Sequence, residues 1–154
     1  MKKTHKYISV ISPVFEAEQI VDELVSRITN ELEIINKPYE IILIDDGSMD
    51  NSWLKIVENG RTNPNVKGIK LSKNFGQAYA ISAGLKECIG DCAVVMDCDL
   101  QEDPKYISDL LKRFKNGNEI VFSIIKKKKH SIFKNVTSFL YNKLFVYLSQ
   151  SYHE

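Results

Sequence analysis

An α/β domain built on a mostly parallel sheet, with helices on both faces, is the architecture this chain encodes. Three observations carry that expectation. Short apolar, β-branched runs alternate with longer amphipathic segments, and strands separated by helices pair in parallel through right-handed crossovers. The strand-like runs end in loops rich in Asp, Gly, Ser and Pro, the residues that punctuate chain reversals. At 154 residues, 44% hydrophobic and 27% charged, the chain is one domain able to bury a sizeable core.

Residues 7–14 are β-branched and apolar and close at Ser12-Pro13, a first strand. Over 16–35, Ile20, Val21, Leu24, Ile28, Leu32 and Ile35 recur three and four apart. That spacing puts them on one face of a long helix, which Lys37-Pro38 breaks. Residues 40–44 form a second strand running into Asp45-Asp46-Gly47-Ser48. A short helix over 52–58 follows, with Asp50 or Asn51 as its cap. Residues 66–71 make a third strand and the Ala-rich stretch 76–89 a helix. Residues 92–96 make a fourth strand and 104–114 a helix with Pro104 in its first turn. A fifth strand is expected over 119–125. After the basic run from Lys126 to Lys129, 131–149 reads as helix. The organisation is a core over 1–125, then a basic segment and amphipathic helix over 126–154.

A net charge of +1 argues against a general nucleic-acid binder, which needs a basic surface. Cys88, Cys92 and Cys98 are odd in number and close together, the pattern of free thiols in a reducing compartment. Gly90-Asp91 ends the helix that would bring Cys88 and Cys92 onto one face, which argues against zinc. His5-Lys6 interrupts any leader-like apolar region, and no run of about eighteen apolar residues exists to span a bilayer. The expected location is the cytoplasm or the cytoplasmic face of a membrane.

The chemistry concentrates at strand ends. Val94-Val95-Met96 runs into Asp97-Cys98-Asp99, two carboxylates at i and i+2 ahead of a proline-started helix. Ligands of open α/β sheets bind beyond the carboxyl ends of the strands, where such a pair suits a divalent cation and its phosphates. The same acids could instead decorate a helix N-terminus. Asp45-Asp46-Gly47-Ser48 alone is an ordinary turn sequence. Two acidic loops after neighbouring strands, however, would converge on one crevice. Two like charges ~4 Å apart repel by roughly 4 kcal/mol at an effective dielectric of 20, so a diphosphate beside Asp99 needs Mg2+ or Mn2+ between them. No G-x-G-x-x-G follows the first strand and no G-K-[ST] occurs, against a dinucleotide oxidoreductase or a P-loop NTPase.

These residues resemble a known family. Ser12-Pro13-Val14-Phe15-Glu16-Ala17-Glu18 resembles V-P-V-Y-N-E-E. Asp45-Asp46-Gly47-Ser48-Met49-Asp50 matches D-D-G-S-x-D, Leu71-Ser72-Lys73-Asn74-Phe75-Gly76 matches L-S-R-N-F-G, and residues 97–104 resemble D-A-D-L-Q-D-P-P. In this order and spacing, over about 7–148, they are similar to the N-terminal part of a family 2 glycosyltransferase of GT-A (Rossmann-like) fold. The closest subgroup moves a sugar from a nucleotide onto a polyprenyl phosphate, as dolichol-phosphate mannose synthase does.

The resemblance implies that Pro13 and Phe15, with Glu16 and Lys73 beside them, contact the nucleotide, and that Asp45 and Asp46 hold base and ribose. It places Asp97 near ribose and donor sugar, Asp99 on the metal, and Gln101 near the sugar. Asp97 and Asp99 are then the catalytic pair. For Phe15 core packing is the alternative, and for Lys73-Asn74 a solvated lead-in to a helix. Where the family usually carries arginines after the fifth strand, this chain has Lys126 to Lys129, which keep positive charge for a lipid phosphate or the diphosphate but not the bidentate fork. A solvated charge run is the alternative. Over 131–149 a broad apolar face with Lys134 and Lys143 elsewhere suits an interfacial helix at the membrane, or one packed on another domain or a second subunit as a homo-oligomer contact.

The implied reaction is inverting, metal-dependent transfer from a UDP- or GDP-linked sugar to a polyprenyl phosphate. The alternatives are transfer to a saccharide hydroxyl and a non-catalytic nucleotide-sugar-binding or assembly module. Family members run well beyond residue 154 into an acceptor-side segment with the catalytic base. His153 and Glu154 match none of its motifs, so the chain is expected to be truncated there, with donor binding and weak or absent transfer.

Overall fold

Four strands, β1 (Ile8–Val14), β2 (Tyr39–Asp45), β3 (Val66–Lys70) and β4 (Cys92–Val95), form one sheet of order β3-β2-β1-β4. Every pairing is parallel: Ile8 to Val14 lie against Tyr39 to Asp45, Ile8 to Ile11 against Cys92 to Val95, and Ile41 to Asp45 against Val66 to Lys70. This computed structural model describes residues 7–115 and 120–123. All but 122 and 123 belong to one compact unit, Met1–Val121.

β1 and β2 are buried over their whole length, as expected for central strands covered on both faces. Strand alternation sorts their side chains. Ile8, Val10 and Val14 of β1, with Tyr39, Ile41 and Leu43 of β2, join the core under α1 (Val21–Ile35), α2 (Ser52–Thr62) and α4 (Tyr106–Lys115). Ile11, Ile42 and Ile44 point the other way, onto α3 (Gln77–Glu87), which meets them through Ala80. The heptad-like apolar stripe of α1 (Val21, Leu24, Val25, Ile28, Leu32) is buried. Burying each such branched side chain stabilises the fold by about 1.5–3 kcal/mol. Asn36, left-handed at φ 53°, closes α1 with its N–H on the Leu32 and Glu33 carbonyls.

Several boundaries differ from expectation for visible reasons. β1 does not stop at Ser12-Pro13 but continues through Pro13 to Val14. The Tyr7 and Ile11 carbonyls face β4, where Asp91 and Met96 donate to them, while the Ile8 N–H and the Val14 carbonyl face β2. Pro13 shares the β4-facing set but lies past the last β4 bond, so its missing N–H costs no ladder hydrogen bond. α1 starts at Val21, not at residue 16: Glu16 is left-handed at φ 48°, and the N–H groups of 16–18 tie the loop to side chains of the 48–52 turn. α2 runs to Thr62 rather than ending near residue 58.

The expected fifth strand is not seen in its described residues. Residues 120–123 have no strand ladder, and Ile120 is 73% exposed. The rest of that segment, Lys126, Lys129 and the helix expected over 131–149 lie outside the described residues. Its membrane and homo-oligomer roles, and the division at residue 125, therefore remain expectations. Among the described residues no helix is long and apolar enough to cross a membrane.

At the amino ends of the strands Glu40 is wholly buried. Its carboxylate accepts the Ser9 hydroxyl at 2.6 Å, the Ile89 N–H at 2.8 Å and the Lys67 ammonium at 2.6 Å. The Gly90 N–H bonds Ser9 Oγ at 2.9 Å, so this cluster ties the α3–β4 loop to β1 and β2. Burial pushes the Glu40 carboxyl upward, but the Ile89 N–H, Lys67 and Ser9 outweigh it and hold it below the ordinary range.

Candidate functional site: a crevice at the strand ends

The carboxyl ends of β1, β2 and β4 and the start of α3 enclose a crevice of about 320 Å³ lined by Pro13, Val14, Phe15, Asp46, Asn74, Gly76, Gln77, Asp97, Cys98 and Asp99. That size is at the lower end of ligand pockets, ~300–1,000 Å³. Strand order dictates the position. β1 connects toward β2 and β3 on one side, while β4 lies on its other side. The crevice opens where the order reverses.

The loop after β1 is pinned to the turn after β2. The Glu16 N–H bonds Ser48 Oγ at 3.0 Å, Ala17 N–H bonds Ser52 Oγ at 2.8 Å, and Glu18 N–H bonds Asp50 Oδ2 at 3.1 Å. In return the Asn51 N–H bonds Glu18 Oε2 at 2.8 Å. Glu16 is held at φ 48°, a left-handed conformation that non-glycine residues rarely adopt. Phe15, beside it, is 44% exposed on the crevice wall. Core packing is therefore not its role.

The two acids after β2 divide their work. Asp45 is fully buried and does not line the crevice. Its Oδ1 accepts the Ser48 N–H at 3.2 Å, and Oδ2 is buried without a hydrogen-bond partner among the described residues. Asp46 does line it, yet both of its oxygens are engaged, Oδ1 by the Phe75 N–H at 2.8 Å and Oδ2 by the Gly76 N–H at 2.9 Å. Gly47, at φ 73°, lets the two loops touch: a Cβ there would lie 2.4 Å from the Lys73 carbonyl carbon.

After β4, Asp97 and Asp99 are exposed on the crevice wall. Asp97 Oδ1 accepts the side-chain amide of Gln77 at 2.6 Å, and Asp99 Oδ1 accepts the Gln101 N–H at 3.0 Å. Leu100, which follows Asp99, takes φ 57°, with its side chain packed against the core. Packing of this kind can hold a strained backbone at a functional site. Burial raises the Cys98 thiol most; the Phe15 N–H lowers it, and Asp99 and Asp97 raise it further. It is a neutral wall residue rather than a thiolate.

Of the residues expected from sequence, Pro13, Phe15, Asp46, Asp97 and Asp99 line the same crevice. Glu16, Lys73, Gln101 and Asp45 do not line it: the Lys73 ammonium lies 5.2 Å over the Phe75 ring, and the Gln101 backbone supports Asp99. Val14, Asn74, Gly76, Gln77 and Cys98 complete the lining. Gln77 carried no sequence signal, because its partner lies twenty residues away on another element.

Two carboxylates are hard oxygen donors of the kind Mg2+ and Mn2+ take. Among the described residues no three His, Cys, Asp or Glu side chains converge as an all-protein cage.

Comparison with known proteins follows the same line. The family model for glycosyl transferase family 2 matches residues 9–151. Among solved structures, the chain is similar to the mannosyltransferase PcManGT of Pyrobaculum calidifontis in complex with GDP-Man and Mn2+ (TM-score 0.62, 18% identity, 73% of this chain and 33% of that one). It is also similar to glucosyl-3-phosphoglycerate synthase of Mycobacterium tuberculosis in complex with Mn2+, UDP and glucosyl-3-phosphoglycerate (0.61, 20%, 77% and 43%). A third is S. aureus TarS 1-349 (0.53, 23%, 79% and 40%). At these identities the likeness concerns the GT-A fold, and the chain spans less than half the length of each of these structures.

Proposed function

The chain belongs to glycosyl transferase family 2, and from that premise we propose that its crevice binds the nucleotide diphosphate of a UDP- or GDP-linked sugar through a divalent cation. In the full-length protein, the sugar would be transferred with inversion to a polyprenyl phosphate at the cytoplasmic face of a membrane. One observation carries the donor site: the loops after β1, β2 and β4, separated in sequence, line a single crevice to which they bring Phe15 together with Asp97 and Asp99. An exposed aromatic suits a base, and the acid pair suits the cation of a diphosphate. Similar folds hold GDP-Man and UDP with Mn2+. The lipid acceptor rests on the motif resemblance over residues 97–104 and on the basic and apolar segments after 125.

The cation, when bound, neutralises the charge that collects on the departing diphosphate, a Lewis-acid contribution. Asp99 would hold it, with its carboxylate fixed by the Gln101 N–H. Asp97 would meet ribose or sugar hydroxyls, Phe15 and Pro13 would flank the base, and Asp46 would keep the 73–76 loop closed over the site. A phosphate acceptor already carries the attacking oxyanion, so no strong general base is required of this chain.

Calorimetry with UDP and GDP, with and without Mn2+, tests the reading. Cation-dependent binding of one of them is expected, with Asp99→Asn weakening it by at least about tenfold, ~1.4 kcal/mol. Absence of binding to either nucleotide in the presence of Mn2+ would sink the donor site. Transfer to a short-chain polyprenyl phosphate, but not to free saccharides, is the result expected of the full-length protein.

A further inference from the structure

We propose that Gln77 is the positioning residue of the acidic pair: its side-chain amide clamps one oxygen of Asp97 and leaves the other to a ribose or sugar hydroxyl beside the cation. The inference rests on the donor-site reading above. Its geometry is a 2.6 Å bond between the first residue of α3 and the first acid after β4, with both residues on the crevice wall.

The clamp belongs to a chain of contacts across the sheet. Asp46, at the end of β2, takes the N–H groups of Phe75 and Gly76. Gly76, at φ 95°, then turns the chain into α3. α3 is seated on β1 and β2 through Ala80 and Gly84. The loop after β2 therefore fixes α3, and α3 fixes Asp97 in the loop after β4. The two acidic loops are registered against each other by backbone and amide hydrogen bonds, not by a charge pair.

The residue type matters. Asp97 is exposed, and without a donor its carboxylate would sample several rotamers. A lysine or arginine would hold the carboxylate but cancel the charge that attracts a cation. An amide orients it and leaves its full negative charge. Hydrogen bonds to charged groups are among the stronger ones in proteins, so losing this one should be visible in ligand affinity.

The test is calorimetry of the whole chain titrated with Mn2+ together with UDP or GDP, comparing wild type, Gln77→Leu, Gln77→Lys and Asp99→Asn. Gln77 is exposed, so these substitutions spare the core, and melting temperatures should stay within a few degrees of wild type. Gln77→Leu should weaken Mn2+-dependent binding about tenfold. Gln77→Lys should weaken it further at low ionic strength and recover partly in high salt, because its defect is charge rather than geometry. A role confined to structure would not distinguish donor charge in this way. Wild-type affinity in Gln77→Leu, or Mn2+ binding by Gln77→Lys as tight as wild type, would overturn the inference while leaving the donor site standing. No Mn2+-dependent nucleotide binding by the wild-type chain would overturn both.

Discussion

At Asp46 both carboxylate oxygens already hold backbone N–H groups, so its first task is to fix the 73–76 loop. Asp46→Asn replaces one acceptor by an NH2 group that would face an N–H. Denaturant unfolding should show a loss of about 1–3 kcal/mol, the cost of an unmet buried donor. Gly47→Ala should cost at least about 2 kcal/mol in the same measurement. The added methyl would collide with the Lys73 backbone at 2.4 Å, and the residue would stay at φ 73°. Asp97 and Asp99 stand out in the sequence because two acids at i and i+2 follow a buried apolar run. The division of labour between Asp45 and Asp46 is not legible. Adjacent residues at a strand end point in opposite directions, and only the partner loops decide which acid is buried and which faces the crevice.

At the scale of elements, α3 shows how a helix is placed by what it lacks. Ala80 and Gly84 are its buried residues, and a Cβ on Gly84 would lie 2.6 Å from Ile11 Cγ2 and 2.8 Å from Ile44 Cδ1. Both are methyls of fully buried, β-branched isoleucines with little χ1 freedom, so Gly84→Ala should cost about 1–3 kcal/mol from overpacking. Because α3 carries Gln77, the shift should also loosen Mn2+-dependent nucleotide binding, which calorimetry on the same variant would read. The amphipathic stripe of α1 made that helix legible from sequence. Its start was not, since the helical spacing of Ile20 and Val21 carries no trace of the hydrogen bonds that pull 16–18 onto the 48–52 turn.

For the molecule as a whole, Glu40 links stability to pH from the end opposite the crevice. Its carboxyl is held below its ordinary value of 4.5 in the folded state. The stabilisation is therefore present above the unfolded value and is lost as pH falls through the folded one. Glu40→Gln should cost about 1–3 kcal/mol near neutral pH, through lost charge-assisted hydrogen bonds rather than the half-exposed Lys67 pair alone. The gap from wild type should close below pH 4.5. Urea unfolding at pH 7 and pH 4 would measure it, and an equal gap at both would show that the charge contributes nothing.

The sequence by itself determined the parallel α/β sheet, the order of its first four strands and helices, and the acidic strand ends. Each of these follows from local rules: hydrophobic period, turn residues, and where a chain can leave a buried strand. Tertiary structure alone decided that Asp46 braces a loop, that Asp45 turns inward, that Pro13 stays inside β1 and that Gln77 reaches Asp97. These depend on atoms far apart in sequence meeting at hydrogen-bond distance. A single strand or helix holds no record of that meeting until the sheet order brings the loops to one edge.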